Sequence, residues 1–453
     1  MYAILFLLAL RLKRLDDALD KRVWPIAAST FITGSAIGVA LPVMPLFCAD
    51  LGMSTAEFGL VGSVFGGARL LSNLPLAVAA EHVGRRTFLT WGPALTAVSM
   101  VGTGLSGSLG VLLGWRVLTG LGGSAQMTGA QLYLADISKP SNRARTLAPT
   151  SAAFSAGASV GPAIGGILAQ NFGVVPCFFY VGGAIGVVAA MNWYLLPETK
   201  VAATKALPVF STPDTSASSS PSGRSARNEN QVVHSPVAAS PSLKDGGSVV
   251  WSTLRKWKHL FSEPGVRVIL FSHLAYWTTL SGSQFTLMPL LASQTLHMAP
   301  GEVGGIFAMT SAINVFGAPL AAKLSDKHGR RSTIVPGLGL IAGSVCLLPS
   351  VDSGAQLTAL MAVWACGGAC VSTGPTAYLA DLVPEKDRAS ALSMLRSFGD
   401  LGLMLGAGSL GGLAYATSME VAFWANSALL GAATANLALH GVEPSSYSGD
   451  LKR

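Results

Sequence analysis

Four ionisable side chains sit inside long apolar stretches: Arg69, Arg116, Arg396 and Asp400, with His273 a fifth. A charge at the centre of a membrane-embedded helix costs ~2.5–3.5 kcal/mol on insertion scales, so such a group faces protein or a wet cavity and marks an ion or substrate path. Asp400 is the only carboxylate at that depth, which makes it the candidate proton carrier. Arg396 precedes it by four residues, the spacing at which two side chains meet on one helix face. The pair reads either as a proton site beside its modulating arginine or as a static bridge within one helix. Three deep arginines stand against one deep aspartate, and the first apolar stretch has no acid between Trp24 and Phe47. A cavity built from these groups is neutral to positive. It suits neutral or anionic organic molecules better than lipophilic cations, unless Glu57 or Glu302 reaches in from the connecting turns. No nucleotide loop, metal-ligand cluster or catalytic triad is legible. No cofactor, no metal and no covalent chemistry are therefore expected, and an ion gradient is the expected energy source. The five cysteines have neither zinc-ligand spacing nor a disulfide framework and read as small packing residues.

The elements that position these groups are long apolar segments. Of the 453 residues, 50% are apolar and 11% charged, and the mean hydropathy is +0.51; a soluble domain carries about 25% charged residues. Runs near the ~20 residues needed to span a bilayer fall at 24–48, 57–80, 87–107, 109–135, 145–169, 173–196, 266–291, 303–325, 332–350, 355–380, 389–415 and 419–440. They are rich in Leu, Ala and Gly and do not alternate, which excludes the strands of a barrel. The fold class is an all-α membrane protein with twelve transmembrane helices. All but three of the 30 Lys and Arg lie in the termini or in and beside the turns after even-numbered segments, and the turns after odd-numbered segments carry none. This positive-inside pattern places both termini on the cytoplasmic side of a plasma or organelle membrane. It also removes nucleic acid as the reason for the net charge of +8.

The chain repeats itself at an offset of 245 residues. Glu81-His-Val-Gly84-Arg85-Arg86 returns as Asp326-Lys-His-Gly329-Arg330-Arg331, Asp136 as Asp381, Arg143 as Arg388, and Glu57 and Gly59 as Glu302 and Gly304. One offset across half a chain means an internal duplication. The organisation is a cytoplasmic segment 1–23, a six-helix bundle 24–199, a linker 200–262, a second bundle 263–442 and a tail 443–453. The linker is rich in Ser, Pro and Ala and is expected to be disordered; its end, Trp251 to Phe261, reads as an amphipathic segment at the membrane interface. The offset pairs Arg69 with Asn314, so both halves keep a polar side chain at that depth. Segments 1 and 7 hold Pro42, Pro45 and Pro289 and most small polar side chains, including Thr30, Thr33, Tyr276 and Gln284. Both are read as cavity-lining. Gly-Arg-Arg makes a tight turn whose arginines can meet Glu81 or Asp326 and the helix-ending Asp136 or Asp381. Such a cluster is a latch if it forms in one conformation and breaks in another.

In these residues the chain resembles the major facilitator superfamily of secondary transporters over nearly its whole length. The two Gly-Arg-Arg loops are similar to the family's loop motif, with Ala77 and Ala322 in place of its leading glycine. Arg116-Val-Leu-Thr-Gly120-Leu-Gly122 resembles the fourth-helix motif, which implies a part for Arg116 in proton coupling. Pro197-Glu198-Thr199 resembles the usual end of the first half. Gly157, Gly161, Pro162, Gly165 and Gly166 resemble the fifth-helix motif of the drug:proton antiporter branch, the twelve-helix multidrug and tetracycline exporters. Segment 11 echoes it with Gly402, Gly406 and Gly411, but Ala407 replaces the proline. The resemblance implies two pseudo-symmetric bundles around a midplane site, alternating access, and a monomer in the lipid bilayer that exchanges a small molecule against protons. The expected function is proton-coupled export of neutral or anionic compounds. The alternatives are an importer or uniporter of a small polar metabolite, or a receptor that kept the fold and lost transport.

Overall fold

A bilayer offers the backbone no hydrogen-bond partner, so long unalternating apolar runs fold as helices. The computed structural model describes residues 20–138, 143–199, 246–372 and 374–443. Among them all regular structure is helical. The first half comprises α1 (Val23–Asp50), α2 (Thr55–Val83), α3 (Arg85–Gly104), α4 (Leu109–Ile137), α5 (Arg143–Phe172) and α6 (Val174–Leu195). The second comprises α7 (264–295), α8 (Pro300–His328), α9 (Arg330–Leu347), α10 (Gly354–Val371, then Gly374–Leu382), α11 (Arg388–Ala416) and α12 (Met419–His440). Each apolar segment thus maps onto one helix. Six of them, α1, α5, α6, α8, α9 and α10, are long and apolar enough to cross a membrane by length and composition. Among the others, α7 is broken into short pieces by its π-helical turns. Most of the linker (200–245), the ends 1–19 and 444–453, and the side chains of Glu81 and Arg143 lie outside the described residues.

Local chemistry sets the helix ends. Gly84 and Gly329 join α2 to α3 and α8 to α9 with φ of +110° and +101°, a region that side chains with a Cβ rarely enter. Ser54 and Glu57 form a capping box at the start of α2: the Ser54 amide donates to Glu57 Oε2 at 2.8 Å and the Glu57 amide to Ser54 Oγ at 3.3 Å. The repeat keeps half of it, the Ala299 amide donating to Glu302 Oε2 at 2.7 Å, because alanine has no hydroxyl. Both glutamates are therefore occupied at helix starts and do not reach into a cavity. In α7 the turns Leu280–Leu287 and Leu291–Thr295 are π-helical. They flank Pro289, which removes a donor from the helical ladder; Thr286 Oγ1 donates back to the Ser281 carbonyl at 2.8 Å.

The two halves pack alike. In the first, α1 lies against α5 and α6, α3 against α4 and α6, and α2 against α4; in the second, α7, α9 and α8 take the same partners six helices on. Each half has its own apolar core, around Val43, Phe47, Phe178 and Ile185 in one and Phe307, Trp364 and Phe423 in the other. The halves meet along two equivalent seams, α2 with α11 and α5 with α8. Glycines face each other across both seams and leave no room for a Cβ: Gly59 lies against Gly411 and the Ala407 carbonyl, and Gly304 against Gly166 and the Pro162 carbonyl. Ser63 Oγ also donates to the Met404 carbonyl at 2.5 Å across the first seam. These contacts lie toward the end opposite the Gly-Arg-Arg turns.

Candidate substrate and coupling site

Small and aromatic side chains of α1 to α5 line a narrow cavity of about 50 Å³ inside the first half. Thr30, Thr33, Thr96 and Thr119 supply hydroxyls, Phe65, Met100 and Phe154 apolar walls, and Arg69 and Gln126 the polar ends. The hydroxyls mostly bond their own helices, as Thr96 does to the Gly92 carbonyl at 3.0 Å, so the wall presents mainly carbon. Gln126 is held from behind: its amide donates to Ser29 Oγ at 3.0 Å and accepts from Thr33 Oγ1 at 2.9 Å. Asn192 of α6 also donates to Ser29 Oγ at 3.0 Å. This fixes the orientation of Gln126.

Arg69 is the one formally charged group in the cavity lining. Its Cζ lies 5.7 Å from the Phe65 ring centre, a cation–π distance. Its Nε lies 3.2 Å from Asp400 Oδ1, a contact between charges without the alignment of a hydrogen bond. Asn73, one turn further on α2, donates to Asp400 Oδ2 at 2.5 Å. Asp400 is only 3% exposed. One carboxylate of the second half is thus bound by two side chains of the first.

The pairing differs from the one that spacing alone offered. Among the described residues no ion pair joins Arg396 to Asp400; Arg396 Nη1 donates instead to Gln131 Oε1 of α4 at 3.3 Å. An i,i+4 spacing permits a bridge on one helix but does not compel it. Here the carboxylate turns to α2 and the long arginine stem spans to α4, so both polar groups of α11 cross between the halves.

The other candidate residues lie elsewhere. Arg116 is buried in α4, outside the cavity lining, and its Nε has no acceptor among the described residues. Asn314, the repeat of Arg69, donates to the Thr310 carbonyl of its own helix at 2.9 Å. His273 Nε2 accepts from Trp277 Nε1 at 3.0 Å, with Tyr276 alongside Trp277. Gln284 is buried in the π-helical stretch. Of the two helices expected to line a cavity, α1 contributes Thr30 and Thr33 to this pocket, whose lining contains no α7 residue. The α7 hydroxyls turn into their own half, where Asn426 of α12 accepts from Thr279 Oγ1 at 3.1 Å and donates to Ser283 Oγ at 2.6 Å. Buried hydroxyls satisfy each other when a neighbouring helix supplies an amide.

The glycines of the fifth-helix motif serve two faces. Gly157, Gly161 and Gly165 press on the α1 backbone near Phe31, Ser35 and Val39, and Pro162 meets Gly38, while Gly166 faces α8. At the turns, Arg85 Nε lies 3.0 Å from Asp136 Oδ2, and Arg330 contacts both Asp381 at 3.1 Å and Asp326 at 2.5 Å. Arg388 Nε donates to the Ala380 carbonyl at 3.0 Å. These partners all belong to the same half. Two further carboxylates were not among the candidates. Glu198 accepts from the Arg85 and Arg86 amides at 3.0 and 3.2 Å, and Glu443 from the Arg330 and Arg331 amides at 2.6 and 3.2 Å. Each places an anion on the first amides of a helix, where the helix dipole favours it. Glu198 and Glu443 are themselves 245 residues apart, so the offset already held this signal.

Two six-helix bundles with matching partners, glycine seams and duplicated Gly-Arg-Arg turns define a duplicated membrane carrier. The family model of the Major Facilitator Superfamily matches residues 26–294 and 279–452, and the chain belongs to that superfamily. An uncharacterized MFS-type transporter of Methanocaldococcus jannaschii is 23% identical over 401 residues, 87% of this chain and 92% of that protein. The quinolone resistance protein NorA of Staphylococcus aureus is 27% identical over 187 residues, 41% of this chain and about half (48%) of NorA. Among solved structures, the human organic anion transporter MFSD10 (TETRAN) superposes with a TM-score of 0.62 at 17% identity, covering 92% of this chain and 98% of that one. That likeness is one of fold. The protein is a multi-pass integral membrane transporter of this superfamily.

Proposed function

We propose that the protein exports neutral or anionic organic compounds in exchange for protons, by alternating access. The observation that carries this reading is the double engagement of Arg69, which lines the cavity and touches Asp400 across the seam. An anionic group entering the cavity competes with Asp400 for the guanidinium. Asp400, released, stays ionised while the substrate is bound, held by the Asn73 amide. Rocking of the halves closes one end of the seams and opens the other. When the substrate leaves, Asp400 takes a proton from that side, the halves rock back, and the proton departs on the opposite side as Arg69 regains the carboxylate. NorA is a resistance protein and MFSD10 an organic anion transporter, and both support this direction of reading.

The test is flux in liposomes holding the purified protein. A proton gradient should drive accumulation of organic anions, and Asp400→Asn should abolish that accumulation while sparing exchange of labelled for unlabelled substrate. Wild-type rates in the Asp400→Asn protein would point instead to a uniporter, and ligand binding without any flux to a receptor.

A further inference from the structure

The linker ends in a helix, Gly246–Ser262, that lies against α7, α11 and α2. One face of it is built into the protein. Leu260 is buried, Trp257 and Phe261 pack on the second core, and Phe261 stacks on Phe398 of α11 at 6.1 Å and edge-on to Phe271 of α7 at 6.0 Å. The opposite face is open. Trp251 is 72% exposed and Leu254 40% exposed, and Arg255, Lys256 and Lys258 are exposed beside them. None of the three basic side chains forms an ion pair among the described residues, and the neighbouring acid, Glu263, pairs with none of them. Trp251, Arg255 and Lys258 follow at intervals of four and three residues, which aligns them on one side of the helix.

We propose that this helix is a docking site for anionic lipid headgroups. Two residues after its last residue, α7 enters at Pro264, so the helix is tied to the level where a membrane span begins. An exposed tryptophan and leucine beside unpaired basic side chains is the pattern of a helix lying in the headgroup layer, its rings at the acyl boundary and its cations on phosphates. A soluble acidic partner would engage the charges but leave Trp251 and Leu254 without an apolar contact. The occupant that satisfies both is the leaflet itself. Arg255, Lys256 and Lys258 hold the lipid phosphates, and Trp251 and Leu254 seat in the lipid between them.

The test uses the full chain purified in detergent, equilibrated with equal amounts of phosphatidylglycerol and phosphatidylcholine, and native mass spectrometry of the lipids it retains. A basic side chain at an anionic surface is worth roughly a five-fold preference. The wild type should therefore retain phosphatidylglycerol preferentially, and the triple variant Arg255→Gln, Lys256→Gln, Lys258→Gln should lose most of that preference with its melting temperature unchanged. Brominated phosphatidylglycerol in nanodiscs should quench the wild type more than the Trp251→Phe protein. Undiminished preference in the triple variant, or equal quenching with and without Trp251, would overturn the proposal.

Discussion

The seam between α2 and α11 and its repeat between α5 and α8 close on the same glycines and differ in their charges. Gly59 with Gly411 and Gly304 with Gly166 occupy equivalent positions 245 residues apart. Deeper in the first seam, Arg69 and Asn73 hold Asp400. The equivalent residues of the second are Asn314, Ala318 and Ser155, and among the described residues Asn314 bonds only its own helix. Steric complementarity is thus kept twice and the ionic contact once. Closure needs both seams, because a rigid half cannot rock against one line of contact. The proposed coupling to a proton needs only one.

The largest expected effect tests the shared part. Gly166→Val and Gly411→Val each drive a branched side chain into the opposing backbone. Overpacking of about 1–3 kcal/mol shifts a two-state equilibrium by roughly 5- to 150-fold, and liposome flux should fall by that range in both variants alike. A large loss in one and none in the other would show that the seams are not equivalent in function.

The next effect tests the difference. Asp400→Asn leaves Arg69 facing no counter-charge. Breaking a buried ion pair from one side costs ~3–5 kcal/mol, and because Arg69 is 22% exposed about 2 kcal/mol is expected. The melting temperature should drop by a few degrees. Ser155→Ala, at the equivalent place, should change stability by less than about 0.5 kcal/mol. Exchanging the charges, Arg69→Asp with Asp400→Arg, should restore most of the melting temperature. Smaller again is the hydrogen bond: Asn73→Ala should cost about 1 kcal/mol, and Asn314→Ala roughly half of that or less. The turn arginines also carry small effects. Arg85→Gln and Arg330→Gln remove partly exposed pairs and should each cost under about 1 kcal/mol, equally in the two halves.

Much of this was legible in the residues. The offset of 245, the apolar runs and the loop motifs locate the helices and their pseudo-symmetry, because periodicity and length are properties of single segments. Spacing along one helix could not report which face of α11 turns toward α2, and so it offered Arg396 to Asp400 when the carboxylate's partners, Asn73 and Arg69, lie in the other half of the chain. Gln126, Gln131 and Asn192 escaped notice for the same reason. Their amides acquire meaning only from the hydroxyl or guanidinium set opposite them by packing. Glu443 was within reach, since Glu198 had drawn attention and the offset points straight at its counterpart.

That counterpart has a practical side. Glu443 is the last described residue, three positions past the end of α12, yet it anchors the amides at the start of α9, and the adjacent Val442 carbonyl accepts from Tyr378 of α10 at 2.6 Å. A shortened version of the protein that stops at the end of the last helix would discard a joint of the second bundle. An affinity tag or fluorescent fusion should begin after Glu443, where it leaves that joint intact.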